Sequence, residues 1–373
     1  LQDHMEDQIA ENMKAGMDHE QAEKEAVRDM GDPVETGISL DSIHRPQAAW
    51  KLLGIIIFIS IAGVLIHAGI SGKASENAVA GSDRYVFHVM IGLAVMMILY
   101  LLDYTVLAKF SKIIAAVLLA VCLLVILEGG QVNGARIFIS LPGGRRGMDV
   151  QKLMLFYVPI YGAILFTVRK KRTICGIWAV FLTAPIAAFL SMYLRNRLAE
   201  YQIARIQAMF SSGSETDYLT KMLHSLWRQN KLIGKSKSDV TGILPAFNAD
   251  YILTYLSSVY GIIAAILLCC VLAVLIFAVF NTALRQKNQL GMMMGCGCGI
   301  VFLISFLINV LENLGVFPQS ITFLPFFSAG GSCIIISYGL MGIVLSTYRY
   351  KNIYPRHPET GFMSINSKVK KVS

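Results

Sequence analysis

In the stretch LPAFNADYIL, residues 244–253, a single carboxylate, Asp250, stands just ahead of a long apolar run. A carboxylate at the edge of an apolar phase loses part of its hydration, which strengthens it as a proton acceptor. The N-terminal end of a helix opposes this, because its dipole favours the ionised form. Asp is also a favoured helix N-cap, so general base and structural cap both fit the residue type. A second polar stretch, GGQVNGARIFISLPGGRRGMDVQK at 129–152, sets Arg136, Arg145, Arg146 and Lys152 against Asp149, with Glu128 at its border. Such cations can hold a phosphate, the guanidinium through a bidentate fork and the ammonium as a point charge. They suit a solvated loop facing lipid headgroups equally well. Asp149 and Lys152, three apart, share one face at a helix start and can pair. A third stretch, NLGVFPQSITFLPFFSAGGSC at 313–333, puts two prolines in an apolar segment before Gly-Gly-Ser. That composition predicts a broken or re-entrant element lining a cavity, with Asn309 and Glu312 just ahead of it facing the interior.

An oily chain carries these residues. Of 373 residues, 55% are hydrophobic and 15% charged, and the mean hydropathy is +0.58. A soluble domain is about a quarter charged. Apolar blocks, each long enough to cross a hydrocarbon core, fall near 50–70, 84–102, 108–128, 153–168, 173–194, 251–280, 291–311 and 327–347. The expected fold class is therefore all-α, a polytopic membrane helical bundle of about eight spans. The net charge of +9 gathers in RKKR (169–172), RQK (285–287) and KVKK (368–371), at alternate crossings. Short basic loops stay on the cytoplasmic side, which predicts both termini there and argues against a nucleic-acid partner. The seven cysteines, at 122, 175, 269, 270, 296, 298 and 333, all fall within these spans. GCGCG (295–299) has no His or acidic neighbour and reads as a tight helix crossing, not a metal site.

The soluble parts divide the chain. Residues 1–49 show Ile9, Met13 and Met17 at helical spacing, then Ala22, Ala26 and Met30 on a second face. Gly16, Gly31 and Asp32-Pro33 read as stops. A small cytoplasmic helical hairpin over 1–49 is expected, then a transmembrane domain over 50–348 and a basic cytoplasmic tail over 349–373. No secretory signal is expected, since the first 49 residues are too polar. The hairpin resembles the permease-prefix (HAAS) domain through HMEDQI, EQAEKEAV, MGDP and LDSIHRP. The chain begins inside that pattern, which implies a short piece before Leu1. On the outer face, 195–250 is long enough to be functional. Within it, RNRLAEYQIARIQAMF turns Leu198, Ile203, Ile206 and Phe210 to one side, as in an interfacial helix or one packed on the bundle.

NGARIFI, YQIARI, LPAFNADYIL and GVFPQSITFLPFFSAGGS follow one another in the order of the SEDS family, the shape, elongation, division and sporulation proteins that include FtsW, RodA and SpoVE. The chain resembles that family over residues 84–347. The last stretch is similar to the family pattern GllPvtGlpLPfiSyGGS, and the surroundings of Asp250 to LPe..TDFIf. The resemblance implies a peptidoglycan glycosyltransferase that polymerises lipid II, an undecaprenyl-pyrophosphate-linked disaccharide peptide, at the outer face of the plasma membrane. A class B penicillin-binding protein is the implied partner, in division, elongation or sporulation. Asp250 then matches the catalytic Asp. Asp149 and Lys152 match the Glu and Lys of QPSEfxK, with Asp in place of Glu. Arg136 and Lys152 would hold the donor pyrophosphate, and Arg205, in YQIARI, would join the substrate set. Pro325, Ser328, Gly330, Gly331 and Ser332 match the C-terminal motif position for position. A divalent cation, Mg or Mn, is compatible with this chemistry, but no ligand cluster demands one.

The departures from the family are specific. Residues 257–259 read SSV in place of GEE, and Ile137-Phe138 replaces an Arg-Trp pair. QPDLGT is absent, and eight spans stand against the family's ten. Losing an adjacent helix pair preserves topology. Two other readings use the same residues. One is a non-catalytic scaffold that binds the lipid carrier and recruits a penicillin-binding protein, which the missing pair favours. The other is a lipid II transporter, for which no internal repeat is visible.

Overall fold

The computed structural model describes residues 2–29, 46–71, 76–128, 130–132, 135–141, 145–168, 216–236, 240, 243–244, 247–317 and 323–352. The first helices, α1 (Gln2–Lys14) and α2 (His19–Asp29), form the expected hairpin. Its turn is at Gly16, with φ +95°. Ala22 and Ala26 are fully buried between the helices, and Asn12 Nδ2 donates to the Ala22 carbonyl at 3.3 Å. Met13 and Met17, expected on the packed face, are 45% and 39% exposed. Close approach over two alanines leaves the longer methionines at the rim. Residues 30–45, with Met30, Gly31 and the MGDP and LDSIHRP stretches, lie outside the described residues.

The membrane domain runs α3 (Trp50–Ser71), α4 (Glu76–Leu101), a short α5 (Tyr104–Lys109) and α6 (Ser111–Glu128). After a small sheet come α7 (Val150–Leu153), a 3-10 turn (Met154–Phe156) and α8 (Tyr157–Val168). The remaining helices are α9 (Thr216–Gln229), α10 (Ile252–Val259), α11 (Ile262–Leu284), α12 (Gln289–Asn313) and α13 (Gly331–Arg349). Among the described residues six spans are long and apolar enough to cross a membrane, and Ser111–Val125 is a shorter apolar helix. Large side chains face outward along them: Phe58 and Leu65 on α3, Phe87 and Met90 on α4, and Leu267 and Phe277 on α11 are all more than half exposed. Apolar surface of that extent faces lipid. The chain is a multi-pass membrane protein.

The structure corrects the sequence reading in places. The single span expected over 251–280 is two helices. Gly261, with φ +103°, breaks them, and a Cβ there would lie 2.5 Å from the Leu232 carbonyl oxygen. Hydropathy does not register such a break, because both helices are apolar. The span expected over 327–347 starts at Gly331, and 323–330 is an irregular, largely buried turn, as its prolines and glycines suggested. The outer stretch at 129–152 contains strands β1 (Gly130–Val132), β2 (Ala135–Leu141) and β3 (Arg145–Asp149), an antiparallel meander in that order. The all-α class holds for the membrane-embedded part. The span expected at 173–194, the amphipathic helix with Arg205, the RKKR cluster and the tail beyond Asn352 lie outside the described residues.

Hydrogen bonds fix which helix ends share a face. Gln47 N–H donates to the Arg349 carbonyl, and Tyr350 Oη donates to that of Leu101, so the start of α3 and the ends of α4 and α13 meet. At the other end, the His67 ring meets Phe327 and the Asn309 amide meets Asp250. The sheet, Asp250 and the 323–330 turn therefore share one face, and both ends of the bundle lie at the other. The RQK turn between α11 and α12 is also at that other face, one 23-residue helix away.

Helix α13 is the centre, with 78% of its membrane window buried, against 22% for α4. The crossing of these two is reciprocal. Gly92 on α4 receives the Tyr338 ring, and Gly342 on α13 lies so close that a Cβ would stand 2.8 Å from the Met96 carbonyl oxygen and from Leu99 Cβ. The GCGCG run is the tight crossing expected: Gly295 lies against Ala283, Gly297 against the Pro159 backbone and Gly299 against the Phe280 ring. Small residues let helices approach without help from water, the main driver available in lipid. Replacing Gly342 by Leu is expected to cost about 1–3 kcal/mol of stability through overpacking. Gly54, with open space around it, should accept Ala without loss. Thermal unfolding of the two variants in one detergent checks the contrast.

Candidate active site

Asp250 ends an irregular segment, and the chain then turns into α10. The helix N-cap is Tyr251, whose side chain makes no capping bond. The capping position therefore falls one residue after Asp250. The role is filled from another helix: Asn313, the last residue of α12, accepts the Thr254 N–H at 3.1 Å and the Thr254 hydroxyl at 3.0 Å through Oδ1. Thr254 is the third residue of α10, where an N-cap side chain would normally bond. The other end of the same amide donates to the Asp250 carbonyl at 3.0 Å, and Asn309, one turn earlier, donates to it at 3.1 Å. Asn309 and Asn313 are fully buried and Glu312 is 2% exposed. The polar residues expected to face the interior do so. Trp227 of α9 closes this group from outside, with Nε1 donating to the Asn313 carbonyl at 2.7 Å.

The second wall is the 323–330 turn. Ser328 Oγ donates to the Ala249 carbonyl and accepts the Leu324 N–H, both at 2.8 Å. Ala329 N–H donates to the Asn248 carbonyl at 3.1 Å. Ser328 and Ala329 thus anchor the two residues ahead of Asp250, with Pro325 buried in the same turn. Gly330 is the N-cap of α13. Gly331 is glycine for a steric reason, since a Cβ would come within 2.5 Å of His88 Nε2.

The third wall comes from the sheet. Strand β3 ends at Asp149, opposite Phe138 of β2, and passes into α7. Asp149 Oδ1 caps that helix by accepting the Gln151 N–H at 2.9 Å, and its own N–H donates to Ser332 Oγ at 2.8 Å. Lys152 is 8% exposed, with its ammonium 5.0 Å from the centre of the Phe323 ring. Ser332, which takes the Asp149 N–H, opens α13 after Gly331, and the turn leading into it sets Phe323 against Lys152 and bonds the Ala249 and Asn248 carbonyls ahead of Asp250. Two segments distant in sequence, 149–152 and 248–250, are therefore held by one turn before α13. Burial raises the Asp149 carboxyl above its ordinary range, against the lowering influence of the Lys152 ammonium and the N–H groups of Gln151 and Lys152. Arg136 lies on β2, paired with Gln131 of β1. Arg205 lies outside the described residues. No group of three or more His, Cys, Asp or Glu able to hold a metal ion occurs among the described residues.

A proton acceptor on a fixed backbone, beside a buried ammonium and an uncapped helix N-terminus, can take a proton from a hydroxyl and hold a phosphate leaving group. The sequence pattern of the "Cell cycle protein" family, FtsW/RodA/SpoVE, matches residues 147–353, which include Asp149, Lys152, Asp250 and the 323–332 turn. The chain belongs to this family. Relatives named peptidoglycan glycosyltransferase FtsW include that of Trichlorobacter lovleyi, 21% identical over 79% of this chain and 91% of its own. That of Enterococcus hirae is 25% identical over 80% and 91%. In fold the chain is similar to a chain of a peptidoglycan synthase complex that coordinates polymerization and crosslinking, with TM-score 0.63 and 16% identity over 81% of this chain and 98% of that one. It is also similar to the rod shape determining protein RodA of Thermus thermophilus, with TM-score 0.59 and 17% identity over 82% and 97%.

Sequence reasoning singled out Asn309 but missed Asn313, Trp227 and His88. Asn309 and Asn313, one helical turn apart beside Glu312, were the available signal for the first. The SSV departure also has a structural account here. Ser257 and Ser258 are buried, and Asn230 binds both, donating to Ser257 Oγ at 2.7 Å and accepting from Ser258 Oγ at 3.0 Å.

The raised Asp149 carboxyl has a consequence for stability. The folded chain keeps a proton there that the unfolded chain has released, so stability from this group falls as pH climbs from 3.8 through the raised value. Asn can still cap α7 and carries no charge. Asp149→Asn should therefore gain thermal stability, relative to the unaltered chain, progressively across that window and not below it. A difference that is flat with pH contradicts the assignment.

Proposed function

We propose that the protein is a peptidoglycan glycosyltransferase that polymerises lipid II at the outer face of the plasma membrane. The observation that carries this reading is the 323–332 segment, which holds the two residues ahead of Asp250 through Ser328 and Ala329, the Asp149 N–H through Ser332 and the Lys152 ammonium at Phe323. The names of the relatives support it. In the reaction, Asp250 takes the proton from the acceptor sugar hydroxyl. The oxygen attacks the anomeric carbon of the donor, a glycosidic bond forms, and the bond to pyrophosphate breaks. Polyprenyl pyrophosphate leaves with the electron pair, and the Lys152 ammonium, with Arg136 and Arg205, offsets its charge. The N–H groups at the start of α13, opened by Gly330 and Gly331, add positive potential on the same side. A divalent cation would serve that purpose too. A lipid-facing groove of about 340 Å³, lined by Phe58, Leu65, Leu256, Tyr260, Leu267 and Phe327, suits the polyprenyl tail.

A class B penicillin-binding protein is the proposed partner. The face bearing Asp250 is the outer one, and both termini are cytoplasmic, which sets the α1–α2 hairpin across the membrane from the chemistry as a docking module. A cysteine at exposed Lys235, beside α10, should react with a membrane-impermeant maleimide in intact cells, and one at exposed Lys287, in the RQK turn, should not. The reverse labelling would sink the orientation.

Asp250→Asn tests the chemistry. The cap of α10 is Asn313, so the amide should leave stability within about 1 kcal/mol and lower lipid II polymerisation at least about 100-fold. Purified protein is assayed with and without the penicillin-binding partner. An active Asn variant removes Asp250 from the mechanism. An unaltered chain that binds lipid II but polymerises nothing, even with the partner, replaces this reading with the scaffold.

A further inference from the structure

The family match starts at residue 147, yet two helices ahead of it reach into the frame of the site. Phe326 has φ +68°, the only positive value at a non-glycine among the described residues. A bulky side chain disfavours that conformation, which persists only where its surroundings fix it. Here they do so from three sides. Tyr85 Oη of α4 donates to the Phe326 carbonyl at 2.8 Å. His67 Nε2 of α3 lies 2.8 Å from the Phe327 carbonyl, which can only accept, so this nitrogen carries the proton. Phe326 N–H donates to Ser337 Oγ at 3.3 Å. The His67 and Tyr85 rings stack at 3.9 Å, and both residues are buried. Gly63, one turn before His67, makes the room, because a Cβ there would overlap the Tyr85 hydroxyl. Ser328 and Ala329, the next two residues, bind the Ala249 and Asn248 carbonyls, the two ahead of Asp250.

We propose that His67 and Tyr85 are positioning residues for Asp250. They hold the Phe326 and Phe327 carbonyls, so that Ser328 and Ala329 keep residues 248–250 in register with Lys152. The proposal rests on the assignment of Asp250 as the base. Phe326 and Phe327 are buried, so no water replaces a lost donor at their carbonyls, and removing one donor re-aims the turn. The rest of α13 is held by its own packing against α4 and stays folded.

The test uses the full chain in detergent with lipid II, measuring kcat and KM, together with hydrogen exchange at single amides. Tyr85→Phe and His67→Leu should each lower kcat about 10-fold or more while KM stays within about two-fold, as expected when a reacting group is misplaced. Exchange should quicken at Ala329, whose N–H makes the bond to Asn248, and stay slow along α13. His67→Gln, whose amide can still donate, should recover kcat to within about three-fold of the unaltered chain. Gly63→Ala, which displaces the Tyr85 hydroxyl, should behave as Tyr85→Phe. Unchanged exchange at Ala329 in Tyr85→Phe and His67→Leu overturns the proposal, as does faster exchange spread over α3, α4 and α13 with no recovery in the Gln variant. Faster exchange confined to the turn, in a chain whose unaltered form polymerises nothing, defeats the glycosyltransferase reading and upholds the hold on residues 248–250.

Discussion

A side-chain amide buried where water cannot reach must find its partners within the protein. Asn313 does, and the rest of the site depends on how. Its oxygen starts α10, its nitrogen fixes the Asp250 backbone, and its own carbonyl takes the Trp227 indole. One residue thus joins the end of a membrane span, the start of a half-helix and an outer helix. Because Asn313 bonds Thr254 from another helix, the start of α10 is fixed from a distance. A local Ser or Asp cap would have formed the same helix without fixing where it sits.

Much of this architecture was legible in the sequence, and the exceptions have physical causes. Blocks such as 291–311 announced their helices because lipid demands unbroken apolar runs, and GCGCG announced its crossing because only small residues allow one. Hydropathy could not show the break at Gly261, since both sides are apolar and the reason for it, the Leu232 carbonyl, is 29 residues away in sequence. The meander of 130–149 was read as loop because its strands are short and set among glycines, and β3 is charged. For the site, motif resemblance marked Asp250, Lys152 and Ser328. Asn313 and His67 are set by partners 59 and 260 residues away, a kind of contact that no local pattern encodes.

The charges of the site gather by relay. β3 delivers Asp149 to α7, the Asp149 N–H bonds Ser332, and the turn ahead of Ser332 bonds the Asn248 and Ala249 carbonyls beside Asp250. Each link uses a backbone group on at least one side. Geometry fixed through the backbone leaves the side chain a task of its own: the Asp149 carboxylate caps α7 through the Gln151 N–H.

Helix α13 is the most enclosed span and also the last to leave the ribosome among those described. Helix α4 is made before its partner, and the space over Gly92 that the Tyr338 ring fills waits for α13. Nascent chains that stop short of residue 323 lack the turn that holds residues 149–152 and 248–250. The order of translation therefore makes the frame around residues 248–250 the last part to close among the described spans.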